Sequence, residues 1–491
     1  MRRGAEYREA LRDGRRVWLL GEGLIDDVTT HPATRPMVDH YVAWYDRHAD
    51  PAWADIVLAP ADTGDRAPWA FMVPKTSDHL RAMGRCFLRT TFETAGNVTH
   101  TPAYGHLIAM GVQVAVQLRN ASPEQLANVE AYRALIARTG RFLTFSAGAA
   151  TIGQRLRPDP AQRAALKVVR ETDRGLIVDG KVGMHTSPAY AEEVYIGALC
   201  GTDYRGHRAT FAVAVNSPGV TVVCRKPSRH DPNPFVSPLS SRFDELDGQM
   251  WLENVLIPWE RVFLVDPSPE PVATWLFWHQ LYCWLAKAEF TLGLALACAQ
   301  AMGLQEHNPT VEMIVDLIAE VQTVRSCQTA AERDPGFTPA GNCHPNHLHV
   351  AAGSLALLKA RQRMSEILRM LPGSSLVVAP SDTDLAAPEM ARGFEESFGG
   401  GGWSATQRSA LLQMAWDHVS SGLDARESTF ELHANGGVQT WRGRLRRAFP
   451  DYNALANAVL KQLPLEMPTC DLSSIKDAPL MPRRVITPPT K

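Results

Sequence analysis

The sequence predicts an α+β protein whose elements are segregated: a helical first third, a strand-rich middle and a long helical end. Three observations predict it. Helix-spaced apolar residues with helix-start signals recur up to about residue 143. Short apolar runs divided by Gly, Asp, Ser and Pro fill positions 144–265. From 266 onward long helix-periodic stretches return, most with a recognisable start or stop. Strands that do not alternate with helices exclude a doubly wound nucleotide-binding sheet. The order gives three units: an N-terminal helical domain (1–143), a central β domain (144–265) and a C-terminal helical bundle with a tail (266–491).

Taken in chain order, helices are expected at 5–13, 38–46, 75–91 and 122–139. The last has the clearest start: Ser122 suits an N-cap, Pro123 the first helical position, and Gln125 can return a hydrogen bond to the cap. In the middle, 165–170 and 176–178 flank a Glu171–Gly175 turn and read as a hairpin. Runs 210–216 and 220–224 are strand-like, with Ser217-Pro218-Gly219 as the turn between them, and 250–264 is a further strand pair or a strand-to-helix exit. Helices follow at 274–302, 311–325, 347–371 and 404–418. The second of these has Ile314, Leu317, Ile318, Val321 and Val324 on one face behind an Asn308-Pro309 cap. The third stops at Pro372-Gly373, and the fourth opens with the capping box Ser404-Ala-Thr-Gln407.

The 491 residues carry a formal net charge of -2, and 21% are charged, which lacks the basic excess of a general nucleic-acid binder. The cluster at Arg442–Arg447 reads as a solvated helix face. The N-terminus turns polar at once and lacks the apolar core of a signal peptide. The most apolar stretch, 281–304, carries Lys287 and Glu289 in its middle, so a core helix is expected there and no membrane association. Eight scattered cysteines without a Cys-x-x-Cys suit buried free thiols in a reducing cytoplasm.

Several common motifs are missing. Gly21-Glu-Gly23 stops short of a dinucleotide fingerprint, and no P-loop, Gly-x-Ser-x-Gly or His-Glu-x-x-His occurs. Cys343-His344-Pro-Asn-His347-Leu-His349 has metal-ligand residue types, but its spacing matches no structural zinc class. It reads as a helix start, and no metal is expected.

The informative segments are spread along the chain: Leu11-Arg12-Asp13-Gly14-Arg15, Asp27-Val-Thr-Thr-His31-Pro32, Thr99-His100-Thr101-Pro102-Ala103-Tyr104, Val168-Val-Arg170-Glu171-Thr172, Thr186-Ser187-Pro188, Phe243-Asp244-Glu245, Pro258-Trp259-Glu260-Arg261, His279-Gln280, Lys287-x-Glu289-Phe290, Ala415-Trp416-Asp417, Arg426 and Ala434-Asn435-Gly436-Gly437. In this order and spacing they resemble the 4-hydroxyphenylacetate 3-monooxygenase oxygenase-component family, over nearly the whole chain.

That resemblance implies an acyl-CoA dehydrogenase-like fold: a helical N-terminal domain, a central β-barrel and a C-terminal four-helix bundle. It implies a homotetramer or homodimer joined through the bundle. The cofactor implied is FAD, received as FADH2 by diffusion from a separate flavin reductase, with O2 as co-substrate. A flavin C4a-hydroperoxide would then hydroxylate a small aromatic, phenolic substrate, free or carrier-bound. The protein's part is to bind, orient and exclude water.

The residues that match the family's flavin segments are Thr186 with Ser187, the loop containing Thr151, Gln154 and Arg155, and the C-terminal group Arg426, Asn435, Gly436 and Gly437. Thr186 reads either as a hydroxyl near the flavin ring or as a strand threonine bonded within the sheet. Arg426 reads as a phosphate or ring-oxygen fork or as an ordinary helix arginine. At the substrate end, Pro102 and Tyr104 keep the pattern, but His100 stands where members active on 4-hydroxyphenylacetate carry arginine, and Phe145 where they carry histidine. His100 can still donate to a phenol oxygen, Phe145 can only stack, and His279 either supplies the missing donor or is a core histidine. This altered grip on the phenol points to a biosynthetic role. It also leaves open a related flavin enzyme acting on a non-phenolic, CoA-bound or carrier-bound substrate by N-oxidation, dehydrogenation or dehydration, or an inactive flavin-binding homologue. Cluster-dependent dehydration would need cysteines where His100 and Tyr104 stand.

Overall fold

The computed structural model describes residues 1–60, 66–119, 121–146, 166–197, 202–265, 273–433 and 437–477. The first part contains α1 (Gly4–Ala10), α2 (Arg35–Asp46), α3 (Ala54–Val57), α4 (Ser77–Phe92), α5 (Pro102–Leu118) and α6 (Pro123–Thr139). The α6 start is as its sequence requires. The Ser122 hydroxyl accepts from the Gln125 N–H, the Gln125 side chain accepts from the Ser122 N–H, and Gly140 ends the helix at φ 59°. The one-turn α3 was not expected, and neither was the long α5. Of its 17 residues 14 are buried, so it has no polar face and shows no amphipathic period to read.

The strands are β1 (Val17–Leu19), β2 (Gly23–Ile25), β3 (Leu143–Ser146), β4 (Lys167–Thr172), β5 (Gly175–Thr186), β6 (Glu193–Ile196), β7 (Thr202–Tyr204), β8 (His207–Ala214), β9 (Val220–Cys224), β10 (Asp247–Pro258) and β11 (Val262–Val265). They form one sheet in the order β11-β8-β6-β3-β5-β10-β9-β1-β2, with β4 beside β5 and β7 beside β8. Among the described residues the end strands β11 and β2 do not pair, so where a barrel is expected the sheet is open along this path. The expected hairpin is β4 with β5. The sheet also takes β1 and β2 from the first thirty residues: β1 runs parallel to β9, Val17 opposite Val222. The pairing that matters most is antiparallel β10 on β5, because its register sets Asp247 opposite Thr186.

Four long helices make the bundle: α7 (Leu276–Ala301), α8 (Asn308–Arg333), α9 (His347–Met370) and, after the short α10 (Asp382–Ala386) and α11 (Ala391–Phe398), α12 (Ala405–Val419). Helices α13 (Gly422–His433) and α14 (Gly437–Ala448) then run back across it. Helix α7 is long and apolar enough to cross a membrane by length and composition. Here it is the central helix of the bundle, with Trp278, Leu281, Cys283 and Ala295 fully buried and its Lys287 ion-paired inside. Each large apolar side chain removed from water there contributes roughly 2–3 kcal/mol.

Candidate active site

His100 precedes α5 by two residues and is 6% exposed. Its backbone N–H donates to Glu245 Oε1 at 2.7 Å. Its imidazole lies against the Tyr104 ring, centroids 4.4 Å apart, because residues four apart across a helix start share a face. Tyr104 in turn meets His279 of α7 edge-on at 5.7 Å, and Phe87 of α4 closes the other side of His279 at 4.7 Å. Three of the residues singled out from sequence, from two distant segments, therefore share one buried aromatic cluster. Burial, and then the nearby His100, pushes His279 down to about 3, so it is a neutral imidazole at any working pH. Burial also raises the Tyr104 phenol, with Cys283 and Glu245 adding to it, which leaves Tyr104 a neutral O–H donor.

Thr186 ends β5, and its hydroxyl donates to Asp247 Oδ1 across the strand pair at 3.0 Å. Ser187 follows with φ 61°, a left-handed conformation that costs a serine on the order of 1 kcal/mol; its hydroxyl is bonded to Tyr41 and its N–H to the Leu246 carbonyl. Asp247 also receives Arg426 of α13 through Nε at 2.8 Å and Nη2 at 2.6 Å, and Arg225 at 2.9 Å. The Arg426 fork thus faces a carboxylate of its own chain. Its remaining nitrogen bonds Glu427 and lies 3.9 Å from Glu245, and its plane covers the Phe430 ring at 4.6 Å. Burial works to raise the Asp247 carboxyl, but Arg426 and Arg225 outweigh it and hold it well below the usual range.

This ionic chain continues into the bundle. Glu427 and Glu431 both accept from Lys287, at 2.6 and 2.7 Å, and Arg361 bridges Glu431 and Asp424 at 2.7 and 3.0 Å. Alternation of sign is what lets these charges stay buried; an unpaired one costs several kcal/mol. Sequence reasoning did not single out Glu245, Asp247 or Thr99 as site residues. The signal was Asp244, Glu245 and Asp247, three carboxylates within four positions at the start of an apolar strand, with Arg242 as the one cation close by in sequence.

Phe145 is not joined by a ring contact to His100, Tyr104 or His279 among the described residues. It stacks on Tyr195 at 5.8 Å, while the next residue back, Thr144, turns toward Thr186 and donates to its carbonyl at 2.8 Å. Strand alternation sends Phe145 to the opposite face. Thr151, Gln154, Arg155, Asn435 and Gly436 lie outside the described residues. Gly437 opens α14 at φ 63°, where an added Cβ would meet the Leu432 carbonyl oxygen at 2.4 Å, so only glycine fits. Among the described residues no group of three His, Cys, Asp or Glu is arranged to hold a metal ion.

Whether these residues suit a bound flavin can be tested on the atoms present. Flanking His100, Asn97 Nδ2 and Thr101 Oγ1 are buried without a partner among the described residues. Atoms of this kind are left to bond a water or a bound molecule. Thr186 has spent its proton on Asp247 and keeps only lone pairs, which suits a ring N–H. The donor set fits.

Two family models cover most of the chain: 4-hydroxyphenylacetate 3-hydroxylase N terminal over residues 3–264, and 4-hydroxyphenylacetate 3-hydroxylase C terminal over residues 271–461. The chain is 29% identical, over 88% of its length and 91% of the relative's, to the 4-hydroxyphenylacetate 3-monooxygenase oxygenase component of Thermus thermophilus. It is also 29% identical, over 88% and 85%, to the oxygenase component of 4-nitrophenol 4-monooxygenase/4-nitrocatechol 2-monooxygenase of Rhodococcus opacus. Its fold superposes with a TM-score of 0.85, at 26% identity and covering 94% of this chain and 99% of the other, on the crystal structure of the oxygenase component of 4-hydroxyphenylacetate 3-monooxygenase complexed with FAD and 4-hydroxyphenylacetate.

Proposed function

The chain belongs to the 4-hydroxyphenylacetate 3-hydroxylase family, and from that premise we propose that it is the oxygenase component of a two-component monooxygenase that hydroxylates a small phenol. The observation that supports this best is the convergence of His100, Tyr104 and His279 in one buried cluster, tied through Glu245 and Arg426 to Thr186. When bound, reduced FAD supplies the activation of O2; a separate reductase delivers it. Thr186, Ser187 and Gly437 hold the cofactor, together with Thr151, Gln154, Arg155, Asn435 and Gly436 on their resemblance to the family's flavin segments. Arg426 acts by fixing Asp247 and Glu245.

Tyr104 donates to the phenol oxygen of the substrate, neutral His279 flanks the ring, and His100 lies beside Tyr104 at the same end. The buried aromatic walls keep water from the reacting atoms. With no guanidinium at the position of His100, the pocket suits a phenol recognised chiefly by stacking and a neutral hydrogen bond, free or carrier-bound. The protein works in the cytoplasm as a homotetramer or homodimer joined through the bundle, without nucleic acid or membrane.

Mixing the protein–FADH2 complex with oxygenated buffer, with and without a panel of phenols, tests the reading. A delayed return of oxidised-flavin absorbance, with hydroxylated product from at least one phenol, is expected. Immediate reoxidation that gives only hydrogen peroxide with every phenol would sink it.

A further inference from the structure

His100 is held by a short hydrogen-bonded chain whose direction is fixed. The Thr99 hydroxyl lies 3.0 Å from Glu245 Oε2 and 2.9 Å from His100 Nδ1. The direct Nδ1 to Oε2 separation is 3.9 Å, too long for a hydrogen bond. A hydroxyl has one proton to give, and an ionised carboxylate can only accept. Glu245 is ionised: it is fully buried, yet takes the His100 N–H at 2.7 Å and has the Arg426 guanidinium 3.9 Å away. Burial alone would raise it, but the His100 contacts and Arg426 hold it below the usual carboxylate range. The Thr99 proton therefore goes to Glu245, and its lone pair receives the proton of Nδ1. Neutral His100 is the Nδ1–H tautomer, and Nε2 carries the lone pair. Among the described residues no hydrogen bond uses Nε2.

We propose that Glu245 and Thr99 are positioning residues that make His100 Nε2 the acceptor of the substrate's phenolic proton. The inference rests on the phenol-hydroxylase reading above. In the step, the phenol O–H bond breaks and an Nε2–H bond forms, the electron pair stays on oxygen, and nothing is oxidised or reduced. The resulting imidazolium shares its Nδ1 proton with Thr99, and the Glu245 charge stabilises it across that bridge. The rings against His100 are those of Tyr104 of α5 and Phe430 of α13; one step further stand His279 of α7, neutral through burial, and Arg426 of α13, 3.9 Å from Glu245, which disfavours the imidazolium. The phenolate so formed is a far more electron-rich ring than the phenol, which is what electrophilic hydroxylation needs.

The probe is 4-nitrophenol, whose neutral and ionised forms differ in colour, added to the full-length protein without flavin over a range of pH. The wild type should bind it as phenolate below the pH at which the free compound ionises. Thr99→Val should raise that ionisation midpoint by about one pH unit, a tenfold change in the constant, with FADH2 affinity unchanged, and Thr99→Ser should restore it. Glu245→Gln should raise it as well. A wild type that binds the compound only as neutral phenol, or not at all, overturns the proposal. So does a Thr99→Val midpoint equal to that of the wild type. Because this readout uses no flavin, oxygen-dependent product formation is scored separately, and a failed relay is distinguishable from a failed oxygenase reading.

Discussion

Tyr104 and Thr186 differ in what their hydroxyls have left to give. The Tyr104 hydroxyl proton is the one the proposed substrate needs, and its ring is already fixed by His100 and His279. Tyr104→Phe keeps those contacts and removes one hydrogen bond, so product formed per FADH2 consumed should fall on the order of tenfold while FADH2 affinity stays put. Unchanged coupling would remove Tyr104 from the site. Thr186 has committed its proton to Asp247 and can only accept. Thr186→Val should therefore weaken binding of reduced FAD about five- to tenfold, leaving oxidised FAD, which keeps its N3–H but lacks the N5–H of the reduced ring, little changed; equal losses for both forms would contradict the assignment. What was legible here was residue type within a motif: His100, Tyr104, His279, Thr186 and Arg426 could all be picked from sequence. Their partners could not. Asp247 meets Arg426 across 179 positions, and nothing local to a carboxylate at the start of a strand announces a guanidinium that far along the chain. Phe145, matched to the family's histidine by its place in Leu143-Thr144-Phe145, stacks on Tyr195, the direction that a period of two gives its ring.

Helices with two unlike faces were readable, and those without were not. Helices α4, α6, α8, α9 and α12 announced themselves by period or cap, whereas α5 is buried all round and α13 carries its acids and its arginine inward, against the usual pattern. The three-residue strands β1 and β2 are too short to alternate. Helix α8 is the instructive case, since its apolar arc is wider than the bundle covers. Ile314, Leu317, Val321 and Val324 are buried, but Ile318, read as part of that face, is 47% exposed and shares a second stripe with Val311 and Val315. A stripe at spacings of four and three on the outside of a bundle suits a partner copy. The double variant Val315→Glu, Ile318→Glu should lower the particle mass in light scattering without changing helix content in circular dichroism. A wild type that is already monomeric would refute an assembly through this helix.

At the scale of the whole molecule, the three-zone order was visible because the hydrophobic period changes twice, but not how the zones dock. One docking point is a buried acid. Glu332, near the end of α8, accepts from Trp278 Nε1 at 3.1 Å and from the Tyr282 hydroxyl, both on α7, and α4 passes so close that a Cβ at Gly84 would lie 2.6 Å from its carboxylate. Burial raises the Glu332 carboxyl to about 7, although the two hydrogen bonds work against it. The sign follows from linkage. A group that holds its proton more tightly folded than unfolded contributes stability that is complete below its unfolded value and is lost as pH rises through its folded value. For Glu332 the window runs from 4.5 to about 7, and the loss amounts to about 3 kcal/mol. Glu332→Gln keeps the shape and the acceptor but cannot ionise, so its melting temperature should match that of the wild type near pH 4.5 and exceed it increasingly up to pH 7, with a constant gap beyond. Other titrating groups act on both proteins and drop out of the difference. If the gap is the same at pH 5 and pH 8, Glu332 does not hold its proton in the fold, and the first unit packs on the bundle across an ionised carboxylate.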